Sequence, residues 1–95
     1  MKERYIIGYD IKDDKNRRKI TKHLEDYGVR WQYSVFECRL SESEKVKLVK
    51  ILDRITDPKT DSVFFIPISN QTFNRITFLG QLNSIIKTPI QPSFF

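Results

Sequence analysis

The chain carries one pattern twice in succession: a strand-like apolar run, an amphipathic helix, and a second strand-like run. The first copy opens with Tyr-Ile-Ile-Gly-Tyr-Asp at residues 5–10, which is short, β-branched and aromatic, as a buried strand is. Asp13 or Asp14 can cap the helix that follows. Ile20, Leu24 and Tyr27, spaced at four and three residues, would form the buried face of this helix, and Gly28 would end it. The pattern therefore predicts a fold that alternates strands with helices.

The middle of the chain continues the pattern with a hairpin and a second helix. Residues 29–40 alternate polar and apolar side chains, and the phase of that alternation flips near Tyr33-Ser34. A flip is expected where a strand bulges or turns into its hairpin neighbour, so this stretch predicts two strands. Ser41 and Glu44 then match a capping box at the start of an amphipathic helix, which a following Asp-Pro pair ends.

The last third contains a strand-like run at residues 62–68, which is apolar enough to predict a strand buried on both faces, and a weaker strand at 75–79 after a polar linker. The resulting order is that of an α+β ferredoxin-like βαββαβ sandwich, in which an antiparallel sheet carries both helices on one face. We therefore expect a ferredoxin-like domain over residues 1–80, with a short fifth strand. Residues 81–95 are expected to form an irregular tail that contacts a partner or a second subunit.

Composition limits the classes of function. Seventeen Lys and Arg against twelve Asp and Glu give a net charge of +5, which favours an anionic partner such as nucleic acid. A chain of this size buries only about 60–65% of its unfolded surface. A site formed between two copies of the chain is therefore easier to build than a deep cleft within one copy. The single Cys38 excludes an internal disulfide and is expected to be a buried apolar side chain. No signal peptide or apolar run of about 18 residues is present, which predicts a cytoplasmic protein without membrane contact.

Asp10 is the candidate reactive group, because it closes the first predicted strand where the sheet meets solvent. The alternative is that it is merely the first polar residue after a strand. Arg17 lies near the edge of the helix's apolar stripe and can be aimed back toward Asp10. The basic side chains of this helix are either an ordinary solvated face or, with the helix N-terminus, a phosphate-binding surface. They are Lys15, Arg17, Arg18, Lys19 and Lys22.

These motifs resemble the small CRISPR-associated Cas2 family over about residues 4–80. The matching pieces are Tyr9-Asp10-Ile11, Asp13-Asp14 with Arg17, Arg30 to Glu37 (Arg-Trp-Gln-Tyr-Ser-Val-Phe-Glu), Asp61-Ser62-Val63, and Ile76 to Gly80. The resemblance implies a ferredoxin-like homodimer with metal-dependent phosphodiesterase activity on single-stranded RNA or duplex DNA. It also implies a role in acquiring new CRISPR spacers, as the central dimer that bridges copies of the partner integrase.

The resemblance also assigns roles by position. It makes Asp10 the metal-binding acid, Tyr9 its neighbouring aromatic, Arg17 and Arg30 the phosphate-binding arginines, and Phe36 the aromatic of the hairpin. These five form the predicted catalytic group. The predicted nucleic-acid-binding residues are Lys15, Arg17, Arg18, Lys19, Lys22 and Arg30, with Lys19 standing where some members have arginine.

Metal chemistry gives an independent reason to consider Asp10. Mg²⁺ prefers oxygen ligands and is often held by one or two carboxylates plus a substrate phosphate, so two Asp10 side chains across a two-fold axis could hold one Mg²⁺ or Mn²⁺. Such an ion polarises a phosphoryl oxygen and lowers the pKa of a bound water, while an arginine stabilises the extra negative charge. Asp13 and Asp14 are rival ligands, although helix capping is favoured for at least one of them. His23 is either a general base or an ordinary surface or boundary residue.

Other functions stay open at this stage. The same dimer can serve as a non-catalytic DNA-binding scaffold for the integrase, or the chain can be a toxin-like messenger ribonuclease of the virulence-associated protein D type. An RNA-recognition motif shares the topology, but residues 35–40 lack its aromatic third-strand pattern. Trp31 and Tyr33 can stack on bases, although packing across the hairpin is favoured.

Overall fold

The computed structural model describes residues 1–80 and the strand Ser93–Phe94. Its elements are β1 (Glu3–Asp10), α1 (Asp14–Glu25), β2 (Gly28–Gln32), β3 (Val35–Leu40), α2 (Glu42–Ile55), β4 (Ser62–Ile68), α3 (Asn70–Phe73), β5 (Thr77–Phe78) and β6 (Ser93–Phe94). The rest of the predicted tail, residues 81–92 and 95, lies outside the described part. The division of the chain at residue 80 stays a prediction.

The first four strands form one antiparallel sheet in the order β2-β3-β1-β4. The central strand β1 pairs with β3 from Glu3 to Gly8 and with β4 from Arg4 to Asp10. Both long helices pack on one face of the sheet, so the predicted ferredoxin-like architecture is confirmed. β5 and β6 form a separate parallel pair.

The core lies between the two helices and the sheet. Alternate residues of β1, namely Tyr5, Ile7 and Tyr9, are buried on the helix side, because successive side chains of a strand point to opposite faces. α1 contributes Ile20 and α2 contributes Leu48, both fully buried. The other buried members of this core are Ile11, Leu24, Phe36, Cys38, Leu40 and Leu52.

Side-chain caps set where the helices begin. Asp13 caps α1 by accepting the Asn16 backbone N–H at 2.9 Å, so Asp13 takes the capping role left open between it and Asp14. Ser41 and Glu44 form the reciprocal capping box that their spacing predicts at the start of α2.

The second face of the sheet is covered only in part in the described chain. Trp31 and Phe73 form a smaller buried cluster there, with Phe78 packed against it. Phe64 and Ile66 of β4 lie on the same face, each 49% exposed. The prediction that β4 is buried on both faces is therefore wrong, because the apolar run 62–68 has the core on one side and solvent on the other.

The break predicted near Tyr33-Ser34 is confirmed as a two-residue turn, which follows an irregular register between Arg30 and Gln32. Two other local predictions are corrected. The polar segment expected to be a linker forms the short helix α3, because the Ser69 hydroxyl caps it by accepting from the Thr72 N–H. The fifth strand is reduced to Thr77–Phe78.

In the part of the chain that the structure describes, no helix is both long enough and apolar enough to cross a membrane.

Candidate nucleic-acid interface

Two consecutive residues at the end of β1 face opposite sides of the sheet. Tyr9 is buried on the helix side, whereas the Asp10 side chain is 68% exposed. Strand alternation alone causes this separation. The basic groove described next lies on the Tyr9 side, and Asp10 is not among the residues that line it.

An open groove of about 900 Å³ runs between α1 and the β2–β3 hairpin. Six of its lining residues are cationic and one, Glu25, is anionic. The complete lining, called the basic groove below, is Tyr9, Lys15, Arg17, Arg18, Lys19, Thr21, Lys22, Glu25, Arg30 and Tyr33. All six residues predicted to bind nucleic acid are thus brought together, and the hairpin adds Arg30 to the cations of the helix.

Aromatic side chains build the floor of the basic groove. The Tyr9 hydroxyl lies 2.7 Å from the Thr21 Oγ1 and donates a longer hydrogen bond of 3.5 Å to the Tyr33 carbonyl. Phe36 is fully buried beneath it, 6.3 Å from the Tyr9 ring centre, and the Arg30 guanidinium lies 5.4 Å from the Phe36 ring centre. Phe36 therefore positions Tyr9 and Arg30 and does not present itself to a ligand.

Arg30 retains a free donor in this arrangement. Within the described residues its Nε is buried without a hydrogen-bond partner. A buried, unpaired donor is costly unless an acceptor reaches it. Because this atom is shielded from solvent, an acceptor in the basic groove can reach it only if the Arg30 side chain moves.

Arg17 does not point to Asp10, and that prediction is wrong. Its Nη1 donates to the Ile11 carbonyl at 2.9 Å, and its Nη2 pairs with the Asp14 carboxylate one turn away on the helix. Arg17 still lines the basic groove. Since Asp13 is the helix cap and Asp14 binds Arg17, both rival metal ligands already have partners.

Asp10 belongs to a polar arrangement on the other side, together with Lys12 and Asp61. The Lys12 Nζ lies 3.3 and 3.5 Å from the two Asp10 carboxylate oxygens. Asp61 accepts the backbone N–H groups of Lys12 and Asp57, each at 2.9 Å, and these two bonds hold the pKa of its carboxyl below the usual range. Sequence reasoning missed Asp61 as part of the site. Its place directly before a strand that pairs with β1 was the available signal.

A metal site needs more than one chain supplies. Within the described residues, no three His, Cys, Asp or Glu side chains come together as a metal cage. Asp10 offers two exposed hard oxygens, both facing the Lys12 ammonium. That donor set fits a Mg²⁺ ion that keeps several waters and takes its remaining ligands from a second carboxylate or from phosphate.

The other candidate residues are accounted for as follows. Trp31 is buried, but its ring packs against Phe73 and Phe78, which lie outside the hairpin across which packing was predicted. Tyr33 is 88% exposed at the rim of the basic groove, so packing is wrong for this residue. His23 lies half-buried on α1 outside the groove lining. Cys38 is fully buried, as predicted, and burial raises the pKa of its thiol to about 12.

Comparison with known proteins agrees with this architecture. Residues 1–76 match the family described as CRISPR associated protein Cas2. A Synechocystis protein named CRISPR-associated endoribonuclease Cas2 3 is 46% identical over 77 residues, which is 81% of this chain and 84% of that protein.

Two solved structures show the same fold. A hypothetical protein from Thermus thermophilus superposes with a TM-score of 0.78 at 34% identity, covering 87% of this chain and 96% of the other. A chain from a partial Cas6-RT-Cas1–Cas2 complex gives a TM-score of 0.69 at 29% identity, covering 94% and 95%. The sequence motifs, the fold and these matches together show that the chain belongs to the CRISPR-associated Cas2 family.

Proposed function

We propose that this chain acts in CRISPR spacer acquisition as a homodimer that binds nucleic acid through the basic groove and cleaves phosphodiesters at a paired Asp10 site. A similar protein is named an endoribonuclease, and a similar chain belongs to a complex with Cas1, the basis for proposing an integrase partner. The observation that carries the proposal is the basic groove, in which six cations face one acid.

The basic groove suits a phosphate backbone. Lys15, Arg18 and Lys22 are spaced at three and four residues along α1, which places them on one helix face. They are exposed, so their charges are available to a ligand. Arg30 adds a planar donor fork from the opposite wall, a geometry suited to two oxygens of one phosphate. RNA and duplex DNA both offer such a backbone.

The partly uncovered second face of the sheet supports a homodimer. Phe64 and Ile66 are exposed apolar residues on the face that also carries Asp10. Phe64 lies over Gly8, where no side chain intervenes. A second copy that covers this patch would remove apolar surface from water and bring a second Asp10 to the same side.

In such a dimer the two Asp10 carboxylates would hold a divalent cation, with Mg²⁺ expected and Mn²⁺ as a substitute. The ion would supply polarisation of a phosphoryl oxygen and a more acidic bound water. The chain's own contribution is to fix the nucleic acid, because Arg17 and Arg30 orient the backbone while Phe36 keeps Tyr9 and Arg30 in place.

One observation favours the scaffold function as a second candidate. Asp10 is not part of the basic groove, so backbone binding does not depend on the carboxylate. The chain could therefore bridge an integrase on DNA without cleaving it. The family match leaves the virulence-associated protein D alternative without support.

A binding experiment tests the basic groove. Affinity for labelled duplex DNA is measured by fluorescence anisotropy across a salt series for the wild type, Arg18→Ala/Lys22→Ala, and the control Lys47→Ala/Lys50→Ala on α2. The log–log salt slope should decrease by about 0.9 for each phosphate that the groove variant no longer neutralises, and it should stay unchanged in the control. Equal slopes in all three proteins would contradict the groove assignment.

A cleavage experiment separates the two candidates. Wild type and Asp10→Asn are incubated with single-stranded RNA or duplex DNA in Mg²⁺ or EDTA, after both are shown to bind equally. Mg²⁺-dependent cutting that Asp10→Asn loses supports the nuclease and identifies its substrate. Intact binding without cutting supports the scaffold, whereas equal cutting by both proteins rules out Asp10 as the metal ligand.

A further inference from the structure

We infer that Lys12 is a built-in counterion of Asp10, which competes with a divalent cation for the carboxylate and is held in place by Asp61. This inference rests on the proposed function, because it concerns the affinity of the Asp10 site for a metal. It makes Lys12 and Asp61 positioning residues, and neither has a role assigned by the sequence motifs.

The contact between Lys12 and Asp10 spans both oxygens of the carboxylate. The ammonium lies 3.3 Å from one oxygen and 3.5 Å from the other, so it occupies the side from which a cation would bind bidentately. Both side chains are more than half exposed, at 62% and 68%. An exposed pair of this kind is weak, so a divalent ion can displace the ammonium but must overcome its charge.

Asp61 fixes the backbone from which Lys12 extends. Its Oδ1 accepts the Lys12 backbone N–H at 2.9 Å, and its Oδ2 accepts the Asp57 N–H at the same distance. The Asp61 carboxylate therefore links the backbone of Lys12 to the loop before β4. This bond fixes the backbone of Lys12 two residues beyond Asp10, and so keeps its side chain within reach of the Asp10 carboxylate.

The other side of the segment is held as firmly. The Ile11 side chain is buried in the main core, and the Ile11 carbonyl accepts from the Arg17 Nη1 at 2.9 Å. The short connection between Asp10 and the helix cap is thus fixed by a buried side chain, an arginine and an aspartate. The backbone of Lys12 is thus held while its exposed side chain pairs with the Asp10 carboxylate.

Removing the Lys12 charge should therefore tighten metal binding, a direction that damage to the fold would not produce. The test titrates full-length protein with Mn²⁺ alone at low ionic strength and follows the free Mn²⁺ signal by electron paramagnetic resonance. The proteins are wild type, Lys12→Met, Lys12→Met/Asp10→Asn, and Lys50→Met. The last is the control, because it removes the same charge from an exposed lysine of α2. Lys12→Met should bind about two- to tenfold more tightly than wild type, and the gain should shrink as salt screens the charge.

The outcomes separate this inference from the proposed function. A gain in Lys12→Met that exceeds the change in Lys50→Met and disappears with Asp10→Asn supports both. Asp10-dependent binding that Lys12→Met leaves equal or weaker overturns the counterion role and leaves the proposed metal site standing. A gain that persists without the Asp10 carboxylate overturns both.

A second pair of variants tests Asp61. Asp61→Asn keeps an oxygen that accepts the Lys12 N–H, so its Mn²⁺ affinity should match or fall slightly below that of wild type. Asp61→Ala removes the acceptor and should bind Mn²⁺ more tightly than Asp61→Asn, although both lose the same negative charge. Equal affinities in the two variants, with both shown to be folded by circular dichroism, would overturn the positioning role of Asp61.

Discussion

The buried ion pair between Arg4 and Glu37 leads to a quantitative prediction about stability. The Arg4 Nε donates to the Glu37 Oε2 at 2.9 Å, and both side chains are less than 10% exposed. The guanidinium also lies 3.8 Å from the Phe73 ring centre, while its Nη1 has no partner within the described residues. Arg4 therefore depends on Glu37 for its main anionic partner.

Replacing Glu37 with leucine should be costly, because it leaves a buried positive charge without a carboxylate. Breaking such a pair costs about 3–5 kcal/mol. The contact between Arg4 and the Phe73 ring is present in both proteins and so does not offset that loss. We expect Glu37→Leu to lower the free energy of unfolding by about 3–5 kcal/mol. Arg4→Met/Glu37→Leu should recover most of this loss, because replacing both charges with apolar groups is often neutral or stabilising.

Urea unfolding at one fixed protein concentration measures these differences, since self-association would make stability depend on concentration. The single Trp31 packs on Phe73, so its fluorescence reports the region around the pair. Lys2→Met serves as a control, because Lys2 pairs with Glu44 at the surface and its loss should cost less than about 1 kcal/mol. A Glu37→Leu protein within about 1 kcal/mol of wild type would refute the reasoning, as would a double variant as unstable as the sum of the single changes.

Two further changes test the core and the partly uncovered second face of the sheet. The pKa of the Cys38 thiol is raised from about 9 to about 12, so its contribution to stability is complete below about pH 9 and is lost as the pH rises toward 12. Over this range the free energy of unfolding of Cys38→Ala should therefore decline less steeply than that of wild type, by up to about 1.4 kcal/mol per pH unit. An equally steep decline would contradict burial of a neutral thiol. Gly8→Ala should be destabilising, because a Cβ there would overlap the tip of the Phe64 ring, but by less than the roughly 1–3 kcal/mol of an overpacked core, since that ring is half-exposed and can turn away. Gly8→Ala/Phe64→Ala, compared with Phe64→Ala alone by urea unfolding, should show almost none of that cost, and an undiminished cost would place the strain elsewhere.

Local patterns were sufficient to predict the main architecture. The capping box at Ser41 and the periodic apolar residues around Ile20 appear in the structure as expected, because caps and helix faces depend on residues close in sequence. The strand order follows from connection rules once the element order is known. Placing Cys38 in the core also needed only local alternation.

The wrong predictions depended on particular hydrogen bonds and contacts that the pattern of polar and apolar residues does not specify. The direction of Arg17 is set by the Ile11 carbonyl and the Asp14 carboxylate, which compete with Asp10 for the same guanidinium. The role of Asp61 depends on a bond to Lys12, 49 positions away in the chain. Exposure of Phe64 depends on how much of the second face α3 and β5 cover, which composition does not encode.

The opposite orientations of Tyr9 and Asp10 bear on how proteins of this kind can change over time. Because a strand sends neighbouring side chains to opposite faces, a substitution of the Asp10 side chain itself does not change the lining of the basic groove. If the chain has both proposed functions, a descendant that lost the Asp10 carboxylate would lose cleavage and keep the basic groove. Its substitutions would then lie on one face of the sheet.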